Sequence, residues 1–128
     1  MNGYQDIVML KNISLHSHCE HHMVPIIGKV HIAYLPINKV VGISKLARIV
    51  DIFAKRLQTQ ETMTQQIAET IQDALKPAGV AIYVEAFHQC MTTRGVSKPD
   101  VSTITTCFIG KFKSDEVVHN RFINFLKN

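Results

Sequence analysis

The sequence is poor in cysteine, with three in 128 residues, at positions 19, 90 and 107. An odd number at such wide spacing makes no disulfide framework of the kind that staples small secreted domains, so a reducing compartment is expected. Nowhere do about 18 apolar residues follow one another, which excludes a membrane-spanning helix. The start, Met1-Asn2-Gly3-Tyr4-Gln5-Asp6, has no basic stretch leading into an apolar core, so no secretory leader is read and a cytoplasmic location is expected. Blocks of about five or six like charges are also missing. The 14 Lys+Arg against 10 Asp+Glu leave a net charge of +4, which suits an anionic ligand without naming one. Basic residues are not interleaved with aromatic ones in a stacking pattern, so no nucleic-acid partner is expected. There is no repeat, linker or low-complexity segment.

What is present is enough apolar residue for one core. Hydrophobic residues make up 46% and charged residues 19%, far from the composition of disordered chains, and the length fits a single domain over 1–128. Asp6 to Leu15 reads as a strand interrupted at Lys11-Asn12. In Gly28 to Leu35, Val30, Ile32 and Tyr34 alternate with Lys29, His31 and Ala33, the period of a strand. After Gly42 the period changes: Leu46, Ile49, Val50, Phe53 and Leu57 recur as on one face of a helix, with Ser44 as the expected N-cap. A second helix carries Met63, Ile67, Ala68, Ile71 and Leu75 on one face and ends at Lys76-Pro77-Ala78-Gly79. Strands over Val80 to His88 and Ser102 to Phe112, then a helix over Asp115 to Lys127, complete the order β-β-α-α-β-β-α. Hairpins on either side of a helix pair predict an α+β domain, an antiparallel sheet with the helices packed on one face.

Two clusters carry chemistry. Cys19-Glu20-His21-His22 places a thiol, a carboxylate and two imidazoles side by side, and His88-Gln89-Cys90 adds another imidazole and thiol. Thiolate and imidazole are the donors that zinc prefers. Any one of these residues alone is more often a small core residue or a satisfied strand histidine; together they make a metal site the better reading. Cys19, His21, His22, His88 and Cys90 offer five donors to a four-coordinate ion. A closed structural site and an open catalytic one with spare imidazoles both remain allowed, the surplus favouring the second. Cys107 is read as core. His16, His18, His31 and His119 are read as ordinary strand or helix residues.

A third cluster, Ser44-Lys45 with Arg48, sits at the start of the first helix, where unpaired N–H groups and two cations suit phosphate. Gln60-Glu61 opens the second helix, and Glu61 can accept hydrogen bonds from an N–H-rich ring such as guanine. A solvated basic face and a dipole-stabilising glutamate are the plain alternatives.

Five stretches, Ser17-His18-Cys19-Glu20-His21-His22, Gly28 to Tyr34, Gly42 to Arg48, Arg56 to Glu61 and His88 to Val96, resemble the GTP cyclohydrolase I family in order along the chain. The resemblance implies a T-fold, β-β-α-α-β-β, assembled into a toroidal homodecamer with active sites between subunits. It implies hydrolytic opening of the imidazole ring of GTP, giving formate and 7,8-dihydroneopterin triphosphate on the way to tetrahydrofolate and pterins. Carried over by position, Cys19, His22 and Cys90 correspond to the Zn2+ ligands, and His21 and His88 to proton-transferring histidines. Gln60 and Glu61 correspond to the guanine-recognising pair, Ser44 to a residue near the ribose, and Lys45, Arg48 and Arg94 to triphosphate contacts. Thr62 and Met63 depart from the basic-plus-leucine pair common in the family. A long, largely helical segment precedes this part in the family; it is expected to be missing here, with weaker triphosphate binding and altered assembly as the expected result. A competing reading is a catalytically weak or inactive zinc-binding T-fold paralogue that binds a purine, a pterin or a regulatory protein.

The ligand assignment predicts about one zinc per chain, held with Zn–S near ~2.3 Å. Elemental analysis checks it: Cys90→Ser should lose the metal, whereas His88→Ala should keep it and lose roughly 10²- to 10⁴-fold in ring opening. Full zinc in Cys90→Ser contradicts the ligand set.

Overall fold

Ten consecutive register pairs, from Ile26↔His88 to Leu35↔Gly79, join two strands rich in β-branched residues. Around this ladder the computed structural model, which describes residues 6–18, 25–55, 59–88 and 102–127, builds one antiparallel sheet in the order β1-β2-β3-β4. The strands are β1 (Val8–His18), β2 (Pro25–Leu35), β3 (Gly79–His88) and β4 (Thr103–Gly110). Helices α1 (Ile43–Ala54) and α2 (Gln60–Leu75) lie between β2 and β3, and α3 (Lys111–Ser114) and α4 (Glu116–Leu126) follow β4.

Alternation decides which residues each layer receives. Val30, Ile32 and Tyr34 of β2 and Val80, Ile82, Val84 and Ala86 of β3 face α1 and α2 and meet Leu46, Val50, Ile67 and Ile71 in the main core. The intervening positions Ala33 and Ala81 face the other way and join Ile7, Phe112 and Phe122 in a second, smaller core. The two consecutive helices therefore share one face as expected, while the carboxyl-terminal helix packs on the opposite one. There the Phe122 ring stands edge-on to Phe112, with centroids 5.9 Å apart, an arrangement aromatic pairs prefer. No helix among the described residues is long and apolar enough to cross a membrane.

The strands run further than the alternation indicated, because polar residues such as Ser14 and His16 sit on the solvent side of β1. β4 stops earlier, at Gly110, whose φ of 64° turns the chain into α3. A side chain there would also collide with the carbonyl of Ala78. At Gly28, a Cβ would strike the carbonyl of Glu85 on β3, so only glycine lets the two backbones approach. The expectation for Ser44 is corrected: Gly42 is the N-cap of α1, without a side-chain hydrogen bond, and Ser44 lies exposed inside the first turn. Thr59 and Asp115 do cap their helices, accepting from Thr62 N–H and from Val117 and Val118 N–H respectively.

The interruption foreseen at Lys11-Asn12 is a β-bulge between Leu10 and Ile13, with Asn12 at a φ of 65°. Its freed N–H donates to Nδ1 of His31, 3.0 Å away, and the neighbouring Lys11 Nζ donates to the Phe125 carbonyl at 2.8 Å. His31 is buried, with 9% of its surface exposed. Burial first, then the charges of Lys11 and Lys29, hold its pKa below the ordinary imidazole value.

A histidine with a depressed pKa in the folded state binds fewer protons folded than unfolded, so its contribution is full above the unfolded value near ~6.5 and is lost as pH falls through it. Thermal melts between about pH 7.5 and 5.5 should show this destabilisation. His31→Ala, which leaves the Asn12 N–H unpaired, should cost about 1–3 kcal/mol at neutral pH and flatten the acid-side slope. An unchanged slope contradicts the role given to His31.

Candidate active site

One end of the sheet gathers the strand ends that flank both Cys/His clusters. β1 leaves the sheet at His18, opposite Pro25 where β2 enters, and the next residue of β2, Ile26, pairs with His88 at the end of β3. Thr103 of β4 enters opposite Ala86. The backbone of residues remote in sequence is thus brought to one edge by register alone. Cys19, His21, His22, Cys90 and Arg94 lie outside the described residues, as do the side chains of His18 and His88. Among the described residues no group of three or more His, Cys, Asp or Glu forms a cation site.

Both helices reach this end. The Ser17 hydroxyl donates to the carbonyl of Ala54 at the close of α1. At the start of α2, Gln60 Nε2 donates to the Thr103 carbonyl at 2.9 Å and to Thr105 Oγ1 at 3.1 Å, with the Val84 carbonyl at 3.4 Å. Thr64 Oγ1 donates to the Gln60 carbonyl at 2.8 Å and lies 2.7 Å from Thr105 Oγ1. Glu61 stands next in the first turn, exposed and without a hydrogen-bond partner among the described residues. Thr64 and Thr105 were not singled out in the sequence; the only hint is the abundance of threonine in β4.

Ser44, Lys45 and Arg48 lie elsewhere. α1 and α2 run in opposite directions, so the start of α1 faces the end of α2. Lys45 there lines a cavity of about 580 Å³ with Lys39, Val41, Leu46, Ile71 and Leu75. Its rim is held by Lys39 Nζ donating to the Ala74 carbonyl at 3.3 Å and by the Tyr34 hydroxyl accepting from Val41 N–H at 3.2 Å. The 12 residues of α1 span about 18 Å at ~1.5 Å per residue. Within one chain the basic cluster and Gln60-Glu61 are therefore at opposite ends of the helix pair.

The remaining candidates keep ordinary roles. Cys107 is half-buried against the main core, and burial pushes its thiol pKa up, the reverse of what a reactive thiolate needs. His119 Nδ1 is 3.0 Å from the Phe112 carbonyl, and His16 is exposed.

The sequence model of the GTP cyclohydrolase I family matches residues 1–127. The chain belongs to the GTP cyclohydrolase I family. It is 63% identical over 124 residues to GTP cyclohydrolase 1 of Hyphomonas neptunium, covering 97% of this chain and 60% of that protein. The enzyme of that name from Maricaulis maris is 59% identical over 127 residues, covering 99% of this chain and 62% of its own. The chain thus spans about three fifths of the length of these curated relatives. In fold it is similar to an archaeosine synthase QueF-like protein, with a TM-score of 0.66 at 20% identity over 81% of this chain and 93% of that one. A dihydroneopterin aldolase from Burkholderia thailendensis gives a TM-score of 0.56 at 14% identity, covering 82% of this chain and 90% of that one. Both place the GTP cyclohydrolase I chain among T-folds.

Proposed function

We propose that this chain is the catalytic part of a zinc-dependent GTP cyclohydrolase I, opening the imidazole ring of GTP to formate and 7,8-dihydroneopterin triphosphate, the entry to tetrahydrofolate and pterin synthesis. The observation that carries the reading is the sheet register: His18, Pro25 and His88 fall at one edge, and Cys19 and Cys90 follow within one or two residues of the strand ends.

The donor set fits zinc. Two thiolates and an imidazole, Cys19, Cys90 and His22, would hold the ion and leave a fourth position open. When bound, zinc supplies the Lewis acidity that ionises water near neutral pH. The chain's own residues have the remaining work. His21 and His88 are imidazoles suited to moving protons at N7 and at the ribose oxygen near neutral pH. Glu61 accepts from guanine N1–H and the 2-amino group, a pairing that adenine, lacking both donors, leaves unmade. Ser44, Lys45, Arg48 and Arg94 hold the ribose and triphosphate through charge-assisted hydrogen bonds.

Because Lys45 and Glu61 sit at opposite ends of the helix pair, we read a nucleotide that meets both as bound where two chains adjoin. This supports homo-oligomeric assembly with the sites between subunits, in the family's decameric ring. Both outer strands, β1 and β4, have a free edge for pairing in the described sheet.

The reading is tested by supplying zinc and GTP and following formate together with the fluorescence of the oxidised pterin. Both are expected in equal amounts. Lys45→Ala should raise the KM for GTP by roughly tenfold, the loss of one charge-assisted contact, with the metal retained. Purine binding without formate would leave the inactive paralogue as the correct description.

A further inference from the structure

Resting on the reading of Glu61 as the guanine acceptor, we propose that the Gln60 carboxamide is not a base contact but a positioning residue. In this reading it clamps the first turn of α2 to β3 and β4 and so aims Glu61.

The hydrogen bonds around Gln60 form a closed circuit in which every donor has an acceptor. One Nε2 proton goes to Thr105 Oγ1 and the other to the Thr103 carbonyl. The Thr105 hydroxyl then donates to Thr64 Oγ1, and Thr64 donates back to the carbonyl of Gln60 itself. This direction is the one that satisfies every donor, because carbonyls only accept and each hydroxyl has one proton. With the Val84 carbonyl also within 3.4 Å of Nε2, the amide nitrogen faces acceptors on two strands and has no proton left for a purine.

The geometry also explains why a clamp is needed here. The first N–H groups of a helix have no partner within it, and Thr59 caps this one through Thr62 N–H only. First turns fray. A bidentate contact tolerates little angular error, so a carboxylate on an unanchored turn would lose discrimination before it lost contact. Thr64 is buried, with 1% of its surface exposed, which ties the circuit to the core.

The test is equilibrium binding of GTP and of inosine triphosphate, which lacks the 2-amino group, to the zinc-loaded protein, with thermal melts alongside. Wild-type protein should prefer GTP, and Glu61→Gln should erase the preference. Thr105→Val, isosteric but without the hydroxyl, should lower the preference by roughly five- to tenfold. Thr105→Ser, which keeps the hydroxyl and loses the methyl, should restore it whatever its melting temperature. Gln60→Ala should reduce the preference as Thr105→Val does, and the double variant should add little to either. If Glu61→Gln erases the preference but Thr105→Val leaves it intact, Gln60 reads the base directly or not at all, and the clamp is overturned alone. A wild-type protein indifferent to the 2-amino group overturns the Glu61 reading and the clamp with it. A preference that follows melting temperature, with Ser as poor as Val, also overturns the clamp.

Discussion

The pairing of β2 with β3 is the constraint on which the rest depends. It is continuous from Ile26↔His88 to Leu35↔Gly79, and Gly28 permits the backbones to close because any Cβ there would meet the Glu85 carbonyl. A slip of one residue would exchange the two faces of β2, turning Val30, Ile32 and Tyr34 away from the helix pair. It would also move His88 from its place beside the start of β2. The same ladder therefore sets both the core and the alignment of the two strand ends that flank the Cys/His clusters.

A second constraint comes from the antiparallel helix pair. Packing α1 and α2 side by side on one face puts the start of one beside the end of the other, and so separates Lys45 from Glu61. On the proposed reading, a binding site that uses both is completed by two chains. In the proposed assembly, the polar circuit around Gln60 ties the Glu61 half of the site to the sheet.

Much of this was legible in the sequence. The period-2 alternation of β2, the apolar stripe of α2 and the break at Lys11-Asn12 correspond to β2, α2 and the bulge because each is a local pattern with a local cause. Ser44 misled because Ser is a strong N-cap former, yet the helix starts two residues earlier than that cap would set it and Gly42 takes the place. The side of the sheet covered by α4 was not legible, since the periodicity of Val118 and Phe122 says which face of the helix is apolar and nothing of which core receives it. α3, only four residues long, has no period to read. The partners of Gln60 lie 24 to 45 residues away, and a polar side chain carries no sequence mark of its tertiary acceptor. For the candidate metal cluster, the density of Cys and His was the signal, and the register adds that the two flanking strand ends share an edge.

The most direct test of the account is complementation between two defective chains. Lys45→Ala and Glu61→Gln each remove one half of the proposed shared site, and each alone should turn over GTP poorly at concentrations below the wild-type KM. When the two variants are unfolded together and reassembled, mixed rings should contain some junctions with both halves intact, and ring opening should recover toward about a quarter of the wild-type rate, the share expected for random pairing across a two-chain junction. No recovery above the separate variants, in rings shown by mass to be mixed, would contradict a site built between subunits and return Lys45 and Glu61 to unconnected roles.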